Sequence, residues 1–165
     1  MPTSTRSLFK SSSKLSVDAR AKVSAALNAS LADGLDLYSQ IKVAHWNLKG
    51  ACFASLHPLF DSIASSALGF NDEIAERAVA LGALAAGTVR TSAAHSRLTQ
   101  YPEDLTRDLE HVEQVVERID GYLEGLRSAR SVGEGVGDTD TVDLLTGMIT
   151  EFEKHGWFLR ATLES

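Results

Sequence analysis

Four side chains of one short stretch have the types and spacing of metal ligands: His57, Asp61, Asp72 and Glu76. His57/Asp61 and Asp72/Glu76 are both i,i+4 pairs, so on a helix each pair shares a face. At about 100° per residue, the eleven-residue step from Asp61 to Asp72 returns to within about 20° of that face. All four therefore occupy one sector of one helix. Along the axis, however, Asp61 and Asp72 are about 16 Å apart, and a ligand atom must lie about 2 Å from its ion. One helix cannot close one site with both pairs. The same helix packed antiparallel on a second copy can, because a two-fold axis sets His57/Asp61 of one copy opposite Asp72/Glu76 of the other and generates two equivalent sites. The midpoint of the four positions falls between Ser66 and Ala67. The small residues around it, Ala64, Ser65, Ser66, Ala67 and Gly69, would admit close helix approach.

His45 adds a nitrogen. It follows Tyr38 by seven and Leu31 by fourteen, on the apolar stripe of the preceding helix, and the turn around Gly50 brings it toward His57. Imidazoles mixed with carboxylates suit iron, manganese or zinc better than copper(I). Plain readings stand beside this one. A histidine on an apolar face is commonly a satisfied core residue, and an i,i+4 acid pair is commonly a solvated helix face.

The elements that must carry these residues read as helices throughout. Leu27, Leu31, Leu35, Tyr38 and Ile41 recur at helical spacing from about Val17 to Leu48, and Lys49-Gly50 is a stop signal. A second run carries Leu59, Phe60, Ile63, Phe70, Ile74 and Leu81. A third, opened by Pro102, carries Leu105 through Leu126. A fourth carries Val142 through Leu163, set off from the third by Gly133, Gly135 and Gly137. The long link between the second and third runs, with a short helix near Val89–Ser96, predicts an all-α, ferritin-like four-helix bundle with one long crossover. Pro58 is tolerated only near a helix start and restrains the residue before it. The second helix is therefore expected to begin near Ser55 as N-cap, leaving His57 in a frayed first turn.

The 165 residues are 44% hydrophobic, enough for a single core. A lone Cys52 excludes an intrachain disulfide, and no apolar window is long enough to span a membrane. The net charge of −6 is uneven. Five basic residues and one acid precede residue 23, and 11 basic and 21 acidic residues follow. Residues 1–16, rich in Ser and Thr, are expected to form a disordered basic tail, and residues 17–165 the bundle. Arg6, Lys10 and Lys14 of the tail are candidate DNA phosphate contacts. The tail has no apolar h-region of the kind a secretory signal carries, and the expected location is the cytoplasm, at the nucleoid if DNA is bound.

His45-Trp46-Asn47-Leu48-Lys49-Gly50, Leu56-His57, Phe60-Asp61, Asp72-Glu73-Ile74-Ala75-Glu76-Arg77, Leu81-Gly82, Tyr101-Pro102 and Trp157-Phe158, with H–x11–H–x3–D–x10–D–x3–E spacing, resemble the Dps family, the mini-ferritins called DNA-binding proteins from starved cells. The resemblance implies a homododecameric shell that oxidises Fe(II), usually with hydrogen peroxide, and stores Fe(III). It implies iron ligands His45 and His57 from one subunit and Asp72 and Glu76 from its two-fold mate, with Asp61 beside a second, weaker iron. Trp46 matches the aromatic next to that site, with a plain core tryptophan as the alternative. Asp138, Asp140 and Asp143 correspond to the acids of a three-fold pore that admits Fe(II), with ordinary capping of the fourth helix as the alternative. No Glu-x-x-His motif occurs, so a di-iron site inside the bundle is not expected. Two other function classes remain: a DNA-compacting protein with little iron chemistry, and a scaffold with none.

Overall fold

A computed structural model describes residues 9–164. Five helices follow one another: α1 (Val17–Asn47), α2 (Phe53–Ala80), α3 (Val89–His95), α4 (Asp108–Val136) and α5 (Thr139–Leu163). Among the described residues there is no strand, only a single parallel bridge between Lys49 and Arg107. No described helix is long and apolar enough to cross a membrane.

α1 pairs with α2 and α4 with α5, and α1 also packs on α4 and α3. The faces that meet carry the apolar stripes: Leu27, Leu37 and Ile41 of α1, Phe60, Ile63 and Ile74 of α2, Ile119 and Tyr122 of α4, and Phe152 of α5, all fully buried. Phe152 stands edge-on to Tyr122 at 5.0 Å between centroids. Two expected boundaries move. α4 opens at Asp108 rather than at Pro102, because the backbone of residues 106–108 is engaged with Lys49: Lys49 N donates to Thr106 O and Asp108 N to Lys49 O. α4 also runs through Gly133 and Gly135. Only Gly137 takes the left-handed conformation (φ 73°) that ends a helix, with its N–H on Glu134 O and that of Asp138 on Gly133 O.

The crossover from Leu81 to Arg107 is tied to one polar face of α1. Asp33, fully buried, accepts from Arg97 N, Nε and Nη2 at 2.7, 3.0 and 2.6 Å. Asp36 accepts from Ser96 Oγ, and Gln40 Nε2 donates to Thr99 O. Gln40 Oε1 in turn accepts from the buried Arg118, whose Nη2 reaches Gln100 O.

The N-terminal boundary also shifts. Residues 1–8, with Arg6, lie outside the described residues, but residues 9–16 form a strap on the C-terminal end of α2 instead of the expected disorder. Ser11 Oγ donates to Ala80 O and Phe9 N to Gly82 O. The serines that read as low complexity fold the strap locally: Ser11 Oγ accepts from Ser13 N, Ser13 Oγ from Leu15 N, and Ser16 caps α1 by accepting from Ala19 N.

Two buried histidines link the fold to pH. Burial pushes the imidazoles of His111 and His155 below the usual histidine value, against the opposing pull of the Asn47 carbonyl on His111 and of Glu151 on His155. His111 Nδ1 meets Tyr101 Oη at 2.6 Å. A depressed folded pKa means that the unfolded chain binds more protons once pH falls below about 6.5, so stability is full above that value and declines below it. The urea midpoint should therefore fall between pH 7 and pH 5. His111→Gln should flatten that fall; an equally steep profile would remove His111 from the account.

Candidate metal centre

The α1–α2 hairpin brings two imidazoles together. His45 lies in the last turn of α1 and His57 in the second turn of α2, with ring centroids 3.7 Å apart and planes tilted by 34°. His45 Nδ1 is 2.8 Å from the His57 carbonyl oxygen. A carbonyl only accepts, so Nδ1 carries the proton and Nε2 keeps the lone pair a metal needs. The Phe53 ring flanks His57 at 5.0 Å.

The expected start of α2 is corrected. The helix begins at Phe53, and Ser55 is not its cap: Ser55 Oγ donates to Cys52 O. Pro58 lies inside the helix. The acceptor it cannot serve is the Ala54 carbonyl, on an exposed residue where water can take the place of the missing N–H. His57 is thus a regular helical residue and not a frayed one.

Asp61 does lie one turn beyond His57, but its carboxylate is already held. Lys42 Nζ donates to Asp61 Oδ1 at 2.6 Å, and this hydrogen bond and charge, followed by His45 and His57, keep the carboxyl below its usual range. Lys42 also lies 6.0 Å from the Trp46 ring. Trp46 is 68% exposed, so the core reading of this tryptophan fails. It stands at the surface beside the histidines.

Asp72 and Glu76 are exposed further along α2, and no side-chain hydrogen bond or ion pair engages either among the described residues. The chain does not bring them to His45 and His57. Consistent with that separation, no three His, Cys, Asp or Glu among the described residues converge on one ion position. The α2 surface between the two pairs is only partly as read from sequence. Ser65 and Gly69 are exposed, as is Leu68. Ala64 and Ala67 instead face the chain's own core, and Ser66 donates to Glu151 of α5.

The ferritin-like domain family model matches residues 24–165. A DNA protection during starvation protein of Agrobacterium fabrum is 34% identical over 155 residues, which cover 94% of this chain and 96% of that protein. The chain belongs to the Dps family. DpsC from Streptomyces coelicolor superposes with a TM-score of 0.89 at 28% identity, covering 95% of this chain and 92% of that one. A Dps protein from Vibrio cholerae, described as a member of a broad superfamily of ferritin-like diiron-carboxylate proteins, gives 0.85 at 27% identity, covering 90% and 93%.

In this Dps chain the three acids at the start of α5 play unequal parts. Asp138 is only 4% exposed. It caps α5 by accepting from Thr141 N and Oγ1, and it pairs with Arg77 of α2 at 2.7 Å. Its carboxylate is engaged by the fold, in the capping role that stood as the alternative to a pore acid. Asp140 and Asp143 are exposed, and Asp143 borders a cleft of about 390 Å³ with Glu134 and Thr146. Of the basic tail residues, Lys10 and Lys14 are exposed on the strap. Sequence reasoning missed Lys42. Its signal was present, since Lys42 precedes Trp46 by one helical turn on the helix that carries His45.

Proposed function

We propose that this Dps chain is the protomer of a shell that oxidises Fe(II) and stores Fe(III), with each oxidation site completed by two copies. The observation that carries the reading is the division of α2. One end holds His57, set against His45 of α1, whose Nε2 is free. The other holds two carboxylates with no side-chain partner among the described residues, Asp72 about 22 Å further along the helix and Glu76 one turn beyond it. An antiparallel two-fold pairing of α2 superimposes these complementary halves twice. His45 and His57 would then bind Fe(II) with Asp72 and Glu76 of the mate.

Anionic oxygen ligands favour the higher iron charge and so lower the cost of oxidation. Hydrogen peroxide takes two electrons: H2O2 + 2 Fe(II) + 2 H+ yields 2 Fe(III) + 2 H2O. Two iron ions close together supply both electrons at once and avoid release of a hydroxyl radical. Asp61 would serve a second iron only by giving up Lys42. Asp140 and Asp143, exposed and unlike Asp138, are the acids left to draw Fe(II) toward an entry point by their field.

Anaerobic Fe(II) followed by peroxide should give a rapid ferric absorbance that Glu76→Ala abolishes, from a particle of ~210 kDa if twelve copies of 17.7 kDa assemble. A ferric signal no faster than that in buffer would refute the reading.

The exposed Lys10 and Lys14 support a second property, non-specific binding of DNA in the cytoplasm. Gel shifts should weaken steeply between about 50 and about 200 mM salt. Replacing both lysines by glutamine should lower the slope; an unchanged slope would place DNA elsewhere or nowhere on the strap.

A further inference from the structure

We propose that Asp108, the first residue of α4, is a positioning residue for the iron site, acting through the α1–α2 turn on the pairing of His57 with His45. The inference rests on the iron-oxidising reading above. α2 begins without a cap of its own: Cys52 occupies the cap position and its side chain makes no capping hydrogen bond. The first N–H groups of a helix need an acceptor. Here it comes from another helix. Cys52 N donates to Asp108 Oδ2 at 2.7 Å, while Asp108 Oδ1 accepts from Leu109 N at 3.0 Å. One carboxylate, 8% exposed, thus faces the N-terminal ends of both α2 and α4, where negative charge is favoured.

The turn is built to admit it. Gly50 has φ 156°, and a Cβ placed there would lie 2.1–2.3 Å from the carboxylate atoms of Asp108. Only glycine leaves that space. The same turn is fastened to α4 on its other side by the Lys49 N–Thr106 O and Asp108 N–Lys49 O hydrogen bonds, at 3.1 and 3.0 Å.

This turn is the sole covalent link between the two imidazoles. His45 lies three residues before Leu48, and His57 five after Cys52. The 2.8 Å contact from His45 Nδ1 to the His57 carbonyl, which decides the His45 tautomer, tolerates a displacement of only a few tenths of an ångström. Asp108 touches neither imidazole. It holds the start of the helix that presents one of them.

Cobalt(II) titration of the assembled full-length protein tests this, since its visible bands report both affinity and coordination geometry. Asp108→Ala should weaken cobalt binding about tenfold and change the band pattern toward that of His57→Ala. Asp108→Asn keeps an oxygen for the Cys52 N–H and should recover binding to within about threefold. Asn28→Ala removes a clip between α1 and the Leu84–Ala86 loop, far from the turn. It should lower the urea midpoint yet leave the cobalt spectrum unchanged. A folded Asp108→Ala protein with the wild-type spectrum would overturn the proposal alone, as would an Asp108→Asn protein as weak as Asp108→Ala. If Asp108→Ala does not fold, Asp108→Glu decides: the extra methylene should shift the bands, and unshifted bands would overturn the proposal. A wild-type protein with no cobalt spectrum would overturn the iron reading and this proposal with it.

Discussion

His45→Ala and Glu76→Ala should each abolish rapid peroxide-driven Fe(II) oxidation, and a co-assembled mixture of the two should regain it in part. In a mixed pair, one interface site receives both substitutions. The other receives His45 from the Glu76→Ala chain and Glu76 from the His45→Ala chain, so it is intact. With random pairing half of the dimers are mixed, and about a quarter of all sites recover. If each chain owned a complete site, the mixture would be as inactive as either parent. The single substitutions are expected to be severe because each removes a ligand from an already small set, at a cost of at least the 10- to 100-fold that mutation of even an outer-shell partner brings. Stopped-flow absorbance on separately refolded and co-refolded protein reads the result. Full activity in either single variant, or none in the mixture, would each refute the shared site.

The helices and the face of α2 were legible from sequence because both follow from periodicity. α1, the short α3 and the sector holding His57, Asp61, Asp72 and Glu76 depend on residues within a few turns of each other. Illegible were the features set by residues distant in sequence. Ser55 is a better intrinsic cap than Cys52, yet α2 starts at Phe53 because Asp108, 56 residues away, supplies the acceptor. Pro102 read as a helix start, but the pairing of residues 106–108 with Lys49 delays α4. Three glycines read as one break, and only Gly137 adopts a positive φ. Asp138 was grouped with Asp140 and Asp143 by type, and its burial against Arg77 and Thr141 separates it from them. The serines of residues 11–16 read as disorder, since a composition argument cannot see that the end of α2 offers them acceptors. Trp46 was ambiguous because a helix end faces core on one side and solvent on the other.

Arg97→Ala should cost about 3 kcal/mol of stability, the largest loss expected for a substitution outside the apolar core. Asp33 lies within α1 with no exposed surface, and the Arg97 guanidinium supplies two of its three hydrogen bonds, the Arg97 backbone N–H the third. Removing the guanidinium strands a carboxylate among α1, α4 and the crossover. Gly125 shows how closely α4 covers the intact pair: a Cβ there would lie 2.6 Å from Arg97 Nη2 and 2.9 Å from Asp33 Oδ2. The backbone N–H of residue 97 still serves Asp33, and Arg97 is itself half exposed, so the cost belongs at the low end of that for a broken buried pair. Asp33→Asn in the same background should restore part of the loss, because a neutral amide is cheaper to bury than an unpaired charge. Urea unfolding of the two variants separates these effects. A loss below about 1 kcal/mol for Arg97→Ala would mean that the pair acts as an ordinary surface ion pair. The crossover would then be held to α1 mainly by Ser96–Asp36, Gln40–Thr99 and the Asn28 clip on Leu84 and Ala86.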